Sequence, residues 1–211
     1  MELTNQLNSR SFKNTTGRLT GKRAIREYAT TYDISYEDRI DLRGAWTFAR
    51  ALGTPFNTLL TVKYPSTGLS SDIELPRYVV HKIRVFLRMI GVPSHILWSR
   101  HIQVGSGIEE CMILIHLPDE AIKHFVSVAQ RWHPSIDLTL VDYGANLEYK
   151  GQPATVFDLM FRAVDKKTLH KDPTVICEAS DPIYGPRFFN SFKLSKKRRI
   201  EHRRENQKSD N

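Results

Sequence analysis

Between residues 56 and 143 the chain switches between the two-residue period of a strand and the 3.6-residue period of a helix. The order is strand, helix, strand, strand, helix, strand. The first strand, 56–64, is rich in strand formers and ends at Pro65. Pro76 opens a helix over 76–90, with Val79, Val80, Ile83, Phe86, Leu87 and Ile90 as its apolar stripe and Gly91 and Pro93 as its stop. Strands at 95–103 and 109–117 flank the turn Gly105-Ser106-Gly107. Pro118-Asp119-Glu120 starts the second helix, whose core face is Ile122, Phe125, Val126 and Ala129. His133-Pro134 breaks it before a strand over 136–143, where Ile136, Leu138 and Leu140 alternate. This is the order of the split βαβ, ferredoxin-like α+β plan. It predicts an antiparallel sheet with its first and third strands at the centre and two helices on one face. The other face is bare unless flanking helices cover it.

Helices are also expected in the flanks. Ser35, with Asp38 three positions on, caps a helix over 36–51 that buries Ile40, Ala45, Phe48 and Leu52. Pro153 opens another helix reaching 167. The expected organisation is a flexible basic arm (1–33), one α+β domain (34–192) and a basic tail or helix (193–211).

Charge is concentrated at the two ends. The 211 residues carry a net charge of +8. Residues 1–26 hold six basic side chains against one acidic, and 193–211 hold eight against three, which leaves 17 against 19 between them. The dense run Lys196, Lys197, Arg198, Arg199, Arg203 and Arg204 suits phosphates, which such runs bind by releasing counterions. Arg77, Arg84 and Arg88 form a second basic stripe on the helix over 76–90. A hydrophobic fraction of 40% supports a packed core. No apolar run approaches the roughly 18 residues of a membrane span, so no membrane partner is expected. Met1–Asn14 lacks an apolar signal region, and Cys111 and Cys177 form no CxxC pair. Both point to a cytoplasmic chain without a disulfide scaffold or thiolate zinc site. The GxGxxG, GxxxxGK[ST], HExxH and GxSxG patterns do not occur.

Along the strand over 109–117, Cys111, Ile113, Ile115 and Leu117 share one side, and Glu110, Met112, Leu114 and His116 the other. The second set would face the bare side of the sheet. The basic, Gly and aromatic residues with which RNA-binding sheets stack bases are missing from this strand.

The stretch Glu110-Cys111-Met112-Ile113-Leu114-Ile115-His116-Leu117-Pro118 resembles a segment of HUH-type replication initiator-like proteins of bacteria, plasmids and phages. Three more segments are similar: Gly53-Thr54-Pro55-Phe56-Asn57, Gly91-Val92-Pro93 ahead of Trp98 and Arg100, and Ile183-Tyr184-Gly185-Pro186-Arg187 ahead of the basic run. Together they span about residues 53–200. The resemblance implies a DNA-binding role in replication, on single-stranded DNA or an origin. It also implies a divalent metal held by two His on a central strand and a Tyr nucleophile on a later helix. Here Glu110 and Met112 stand where the His pair would be, and the helix over 153–167 carries Phe157 and Phe161 but no Tyr. Glu110 with His101 is then the candidate ligand pair for Mg²⁺ or Mn²⁺, and Tyr149 the candidate nucleophile. The expectation is a nucleic-acid-binding protein with a degenerate or altered nicking site. Two alternatives stand beside it: a metal-dependent DNA-nicking endonuclease with a rearranged site, and a non-enzymatic protein-interaction domain.

Overall fold

The computed structural model describes residues 30–31, 33–66, 73–140, 147–149, 152–184, 186–191 and 194–209. Of the arm expected over 1–33, residues 1–29 and 32 lie outside these residues, and Thr30–Thr31 form a strand instead of a flexible segment; 141–146, at the end of the strand expected over 136–143, also lie outside. Its elements are β1 (Thr30–Thr31), α1 (Tyr36–Ala51), β2 (Thr58–Pro65), α2 (Glu74–Met89), β3 (Ile96–Ile102), β4 (Ile108–Ile115), α3 (Asp119–Ala129), β5 (Ile136–Leu140), β6 (Leu147–Tyr149), β7 (Gln152–Ala154), α4 (Val156–Met160), α5 (Lys166–Lys171), β8 (Ile183–Tyr184), β9 (Phe188–Asn190) and α6 (Lys196–Ser209).

Local chemistry sets the boundaries. The Ser35 hydroxyl accepts from the Asp38 backbone N–H at 3.1 Å and donates to the Asp38 carboxylate at 2.7 Å, so α1 starts where the capping pattern predicts. Gly105 and Gly107 both take positive φ, which lets β3 return tightly into β4. The five-stranded sheet runs β5-β2-β4-β3-β9, with every pair antiparallel. Its first four members follow the ferredoxin-like α+β order, with β2 and β4 central, and β9 extends the sheet beside β3.

Both faces of the sheet are covered. On one, Leu60, Val62, Ile96, Trp98, Ile113 and Ile115 pack against Val79, Ile83 and Phe86 of α2 and Phe125 of α3. Phe86 and Phe125 meet edge to face at 4.9 Å. On the other, Leu59, Leu97, Met112 and Leu114 lie beneath Trp46 of α1, Phe157 and Met160 of α4, and Leu194. Trp46 sits 5.6 Å from Phe56 and 5.7 Å from Phe157. Fully burying side chains of this size stabilises by about 1.5–3 kcal/mol each. The face expected to be bare is therefore the floor of a second core.

The structure departs from the sequence reading in two elements. The inner face of α1 is Leu42, Ala45, Trp46 and Ala49, while Ile40 is exposed, because Trp46 turns toward Phe56 and Phe157. Arg39 fixes the same rotation, donating to Asp158 at 2.5 Å and to the Phe161 carbonyl at 3.2 Å. The expected helix over 153–167 divides instead into β7, the short α4 and α5. Pro153 stands in β7 opposite Glu148. Thr155 takes the cap, in a reciprocal box with Asp158. After Phe161 the chain is pulled into pairing with Ile34: the Ile34 N–H donates to Ala163 at 2.8 Å, and Asp165 donates back at 3.2 Å. Asp165 then caps α5.

Candidate functional site

Two adjacent glutamates of β4 anchor two ionic clusters. Their side chains point to opposite faces of the sheet, as alternation requires.

Glu109 enters the α2–α3 side and is fully buried. Its carboxylate accepts from Arg100 through both Nε and Nη2, the latter at 3.1 Å, and from the Tyr64 hydroxyl. Burial pushes the Tyr64 phenol well above its usual range. Burial opposes the charge on Arg100, but its hydrogen bonds to Glu109 and the charge of that carboxylate together outweigh it, and Arg100 holds its proton more tightly than usual. Arg187 lies alongside, donating to the Ser180 hydroxyl at 2.8 Å and the Asp181 carbonyl at 3.0 Å.

Glu110 enters the α1–α4 side and stands directly opposite His101 of β3. Its carboxylate accepts from Arg162 Nη2 at 2.9 Å and lies 3.5 Å from Lys63 Nζ. Arg162 reaches the other way through Nε to Glu178 at 2.6 Å, and its Nη1 donates to the Leu159 carbonyl at 2.6 Å. Glu178 also accepts from the Tyr149 hydroxyl at 2.6 Å and lies 3.6 Å from His101 Nε2. His101 is 4% exposed, and neither ring nitrogen makes a hydrogen bond to a described residue. Burial, reinforced by the charge of Arg162, drives its imidazole down to about 4, so it is neutral near pH 7.

Strand register thus brings Glu110 and His101 together, and Glu178 links Tyr149 to them. The cation at the centre of this group is the Arg162 guanidinium. A hard divalent ion needs several uncommitted oxygen donors. Glu110 faces Arg162 and Lys63, and Glu178 faces Arg162 and Tyr149. Among the described residues no three His, Cys, Asp or Glu side chains are placed to hold a metal. The set does not fit Mg²⁺ or Mn²⁺, and no step is derived through one. The Tyr149 hydroxyl is engaged as a donor to a carboxylate, and Lys150 lies outside the described residues.

The basic side chains divide between two surfaces. In α6, Lys196, Lys197, Arg198, Arg203 and Arg204 are exposed. Arg199, expected among the phosphate contacts, is instead an anchor: it is buried, pairs with Asp41 of α1 and donates to the Leu194 carbonyl at 2.6 Å. Its guanidinium lies where a Cβ on Gly44 would come within 3.2 Å, so Gly44 admits this close docking. A groove of about 510 Å³ runs between the two helices, lined by Arg43, Phe48, Arg199, His202 and Arg203 among others. On α2, Arg77, Arg84 and Arg88 are exposed, as the stripe predicts.

Sequence reasoning missed Arg162 and Glu178. Neither lies in a recognisable motif, and Arg162 was absorbed into a helix that does not form. Compared with family models, with curated proteins and with solved structures, the chain matches none of them.

Proposed function

We propose that this protein binds nucleic acid, with DNA as its first ligand, and does so without cutting it. The observation that carries this reading is the anchoring of α6. The helix holds seven basic residues and two acidic ones. Arg199 docks it on α1 and leaves Lys196, Lys197, Arg198, Arg203 and Arg204 outward beside Arg43. A held basic surface loses less side-chain and backbone entropy on meeting a phosphate backbone than a loose tail does. The absence of cleavage is supported by the neutralised pair Glu110 and Glu178 and by the engaged hydroxyl of Tyr149. Kinship with replication initiators rests on the motif resemblance and the strand order, and belongs to the same proposal.

The test is the salt dependence of duplex binding. Replacing Lys196, Lys197, Arg198 and Arg203 with Ala should flatten the slope of log K against log salt by up to about 0.9 per lost contact. An unchanged slope removes α6 from the interface. Incubation of labelled single-stranded DNA with Mn²⁺ should yield neither a cut nor a covalent adduct, and either product would restore the endonuclease reading.

A further inference from the structure

Helix α2 buries one face and carries a second ordered pattern on the other. Val79, Ile83 and Phe86 pack into the core on the side of the sheet away from α1. On the outer face, Tyr78, Lys82, Val85 and Met89 follow at spacings of four, three and four. This is the spacing of a helix-pairing seam, a line narrower than the stripe that faces a core. Tyr78 is 44% exposed, Val85 38% and Met89 71%. Among the described residues no other helix carries more than one exposed large apolar side chain. Lys82 keeps the line continuous: it is half-buried, and its ammonium lies 5.3 Å from the centroid of the Tyr78 ring. His81 and Arg88 flank the seam and are exposed, and Arg84 stands beyond them, over Phe189 at 5.7 Å from the ring centroid. Among the described residues Lys82, Arg84 and Arg88 form no ion pair with a carboxylate. The buried arginines Arg39, Arg100, Arg162 and Arg199 each have one.

We propose that the outer face of α2 docks a helix of a partner protein, one that offers apolar side chains to the seam and Glu or Asp to the cations beside it. An exposed apolar line on a folded domain marks an interaction surface, and methionine suits one because its side chain adapts to what it meets. The charges select the partner. Pairing α2 with α2 of a second copy would set Lys82, Arg84 and Arg88 against the same three cations, which disfavours that contact. A lipid surface takes up a broad apolar face, whereas this line is one side chain across. A phosphate backbone would use the cations and leave Val85 and Met89 unmatched. The surface goes beyond the α6 interface and does not depend on it.

The full chain is titrated with a labelled synthetic peptide of about three heptads, with Leu at the seam positions and Glu beside them, and followed by fluorescence anisotropy. A second peptide carries Lys in place of each Glu. Saturable binding of the Glu peptide is expected, with the Lys peptide at least about tenfold weaker. Met89→Ser should weaken the Glu peptide about tenfold. Arg84→Glu with Arg88→Glu should reverse the preference, so that the Lys peptide binds more tightly. Damage to the fold would weaken both peptides alike, and both substitutions lie on exposed side chains. A Glu peptide that binds no more tightly than the Lys peptide, or a preference that survives the double reversal, overturns the proposal. Vesicles containing phosphatidylserine and a labelled duplex are run beside the peptides. If Met89→Ser releases the protein from the vesicles, or the double reversal releases it from the duplex, and neither peptide binds, the face belongs to that ligand and the proposal falls. The fourfold α6 variant should keep its affinity for the Glu peptide, so failure of the α6 reading and failure of this one are separable.

Discussion

Glu109 and Glu110 are neighbours in sequence and identical in chemistry, yet they serve different ends. Glu109 is fully buried, and both its partners, Arg100 and Tyr64, come from the strands flanking β4. Glu110 keeps partial exposure, and its strongest partner, Arg162, follows α4 and also holds Glu178. The first cluster locks sheet strands to each other. The second ties the sheet to the layer over it, with a neutral histidine in its midst. Burial depth separates the two: removing water strengthens charge pairing but makes any unpaired member costly.

The largest expected effect tests the deeper cluster. Glu109→Ala leaves Arg100 buried without its counter-charge and should lower unfolding free energy by about 3–5 kcal/mol. A loss below about 1 kcal/mol in urea denaturation would mean that the two clusters do not differ in depth as described.

The second cluster should instead show itself in pH. His101 titrates near 4 when folded and near 6.5 in its ordinary state. Its neighbours in the fold are Arg162, Glu178, Arg187 and Glu110. Between these two values the unfolded chain carries the extra proton, so stability rises with pH across that window. The contribution is complete above about 6.5 and is lost as pH falls toward about 4, by up to about 3 kcal/mol. Tyr64 and Arg100 both shift upward, away from the window. His101→Gln should flatten the stability profile between pH 4 and 6.5, whereas a slope that survives the substitution assigns it elsewhere.

The smallest effect concerns Tyr149. Removing its hydroxyl takes one hydrogen bond from Glu178, so Tyr149→Phe should cost about 1 kcal/mol by thermal or urea unfolding. DNA affinity should be unchanged, and weakened binding would place Tyr149 in the interface.

Much of the frame was legible because it depends on neighbours along the chain. Ser35 caps α1, Pro118 and the acids after it open α3, and Val79, Val80, Ile83, Phe86 and Leu87 face the core as their spacing requires. The alternation along β4 correctly separated Cys111 and Ile113 from Glu110 and Met112. β9 was not legible, since three residues are too few for a period to register. The short α4 was missed because the pairing of 163–165 with Ile34 competes with helix continuation, and that partner is remote in sequence.

By itself, then, the sequence determined the order of strands and helices from β2 to β5, the central place of β2 and β4, and the basic stripes on α2 and α6. These follow from periodicity, caps and charge, all of which act within a few residues. The tertiary structure alone decided which charges stay available. Arg199 finds Asp41 across 158 residues, and Arg162 finds Glu110 across 52. Whether a basic side chain serves the fold or a ligand depends on which carboxylate packing brings within reach, and no local pattern encodes that choice.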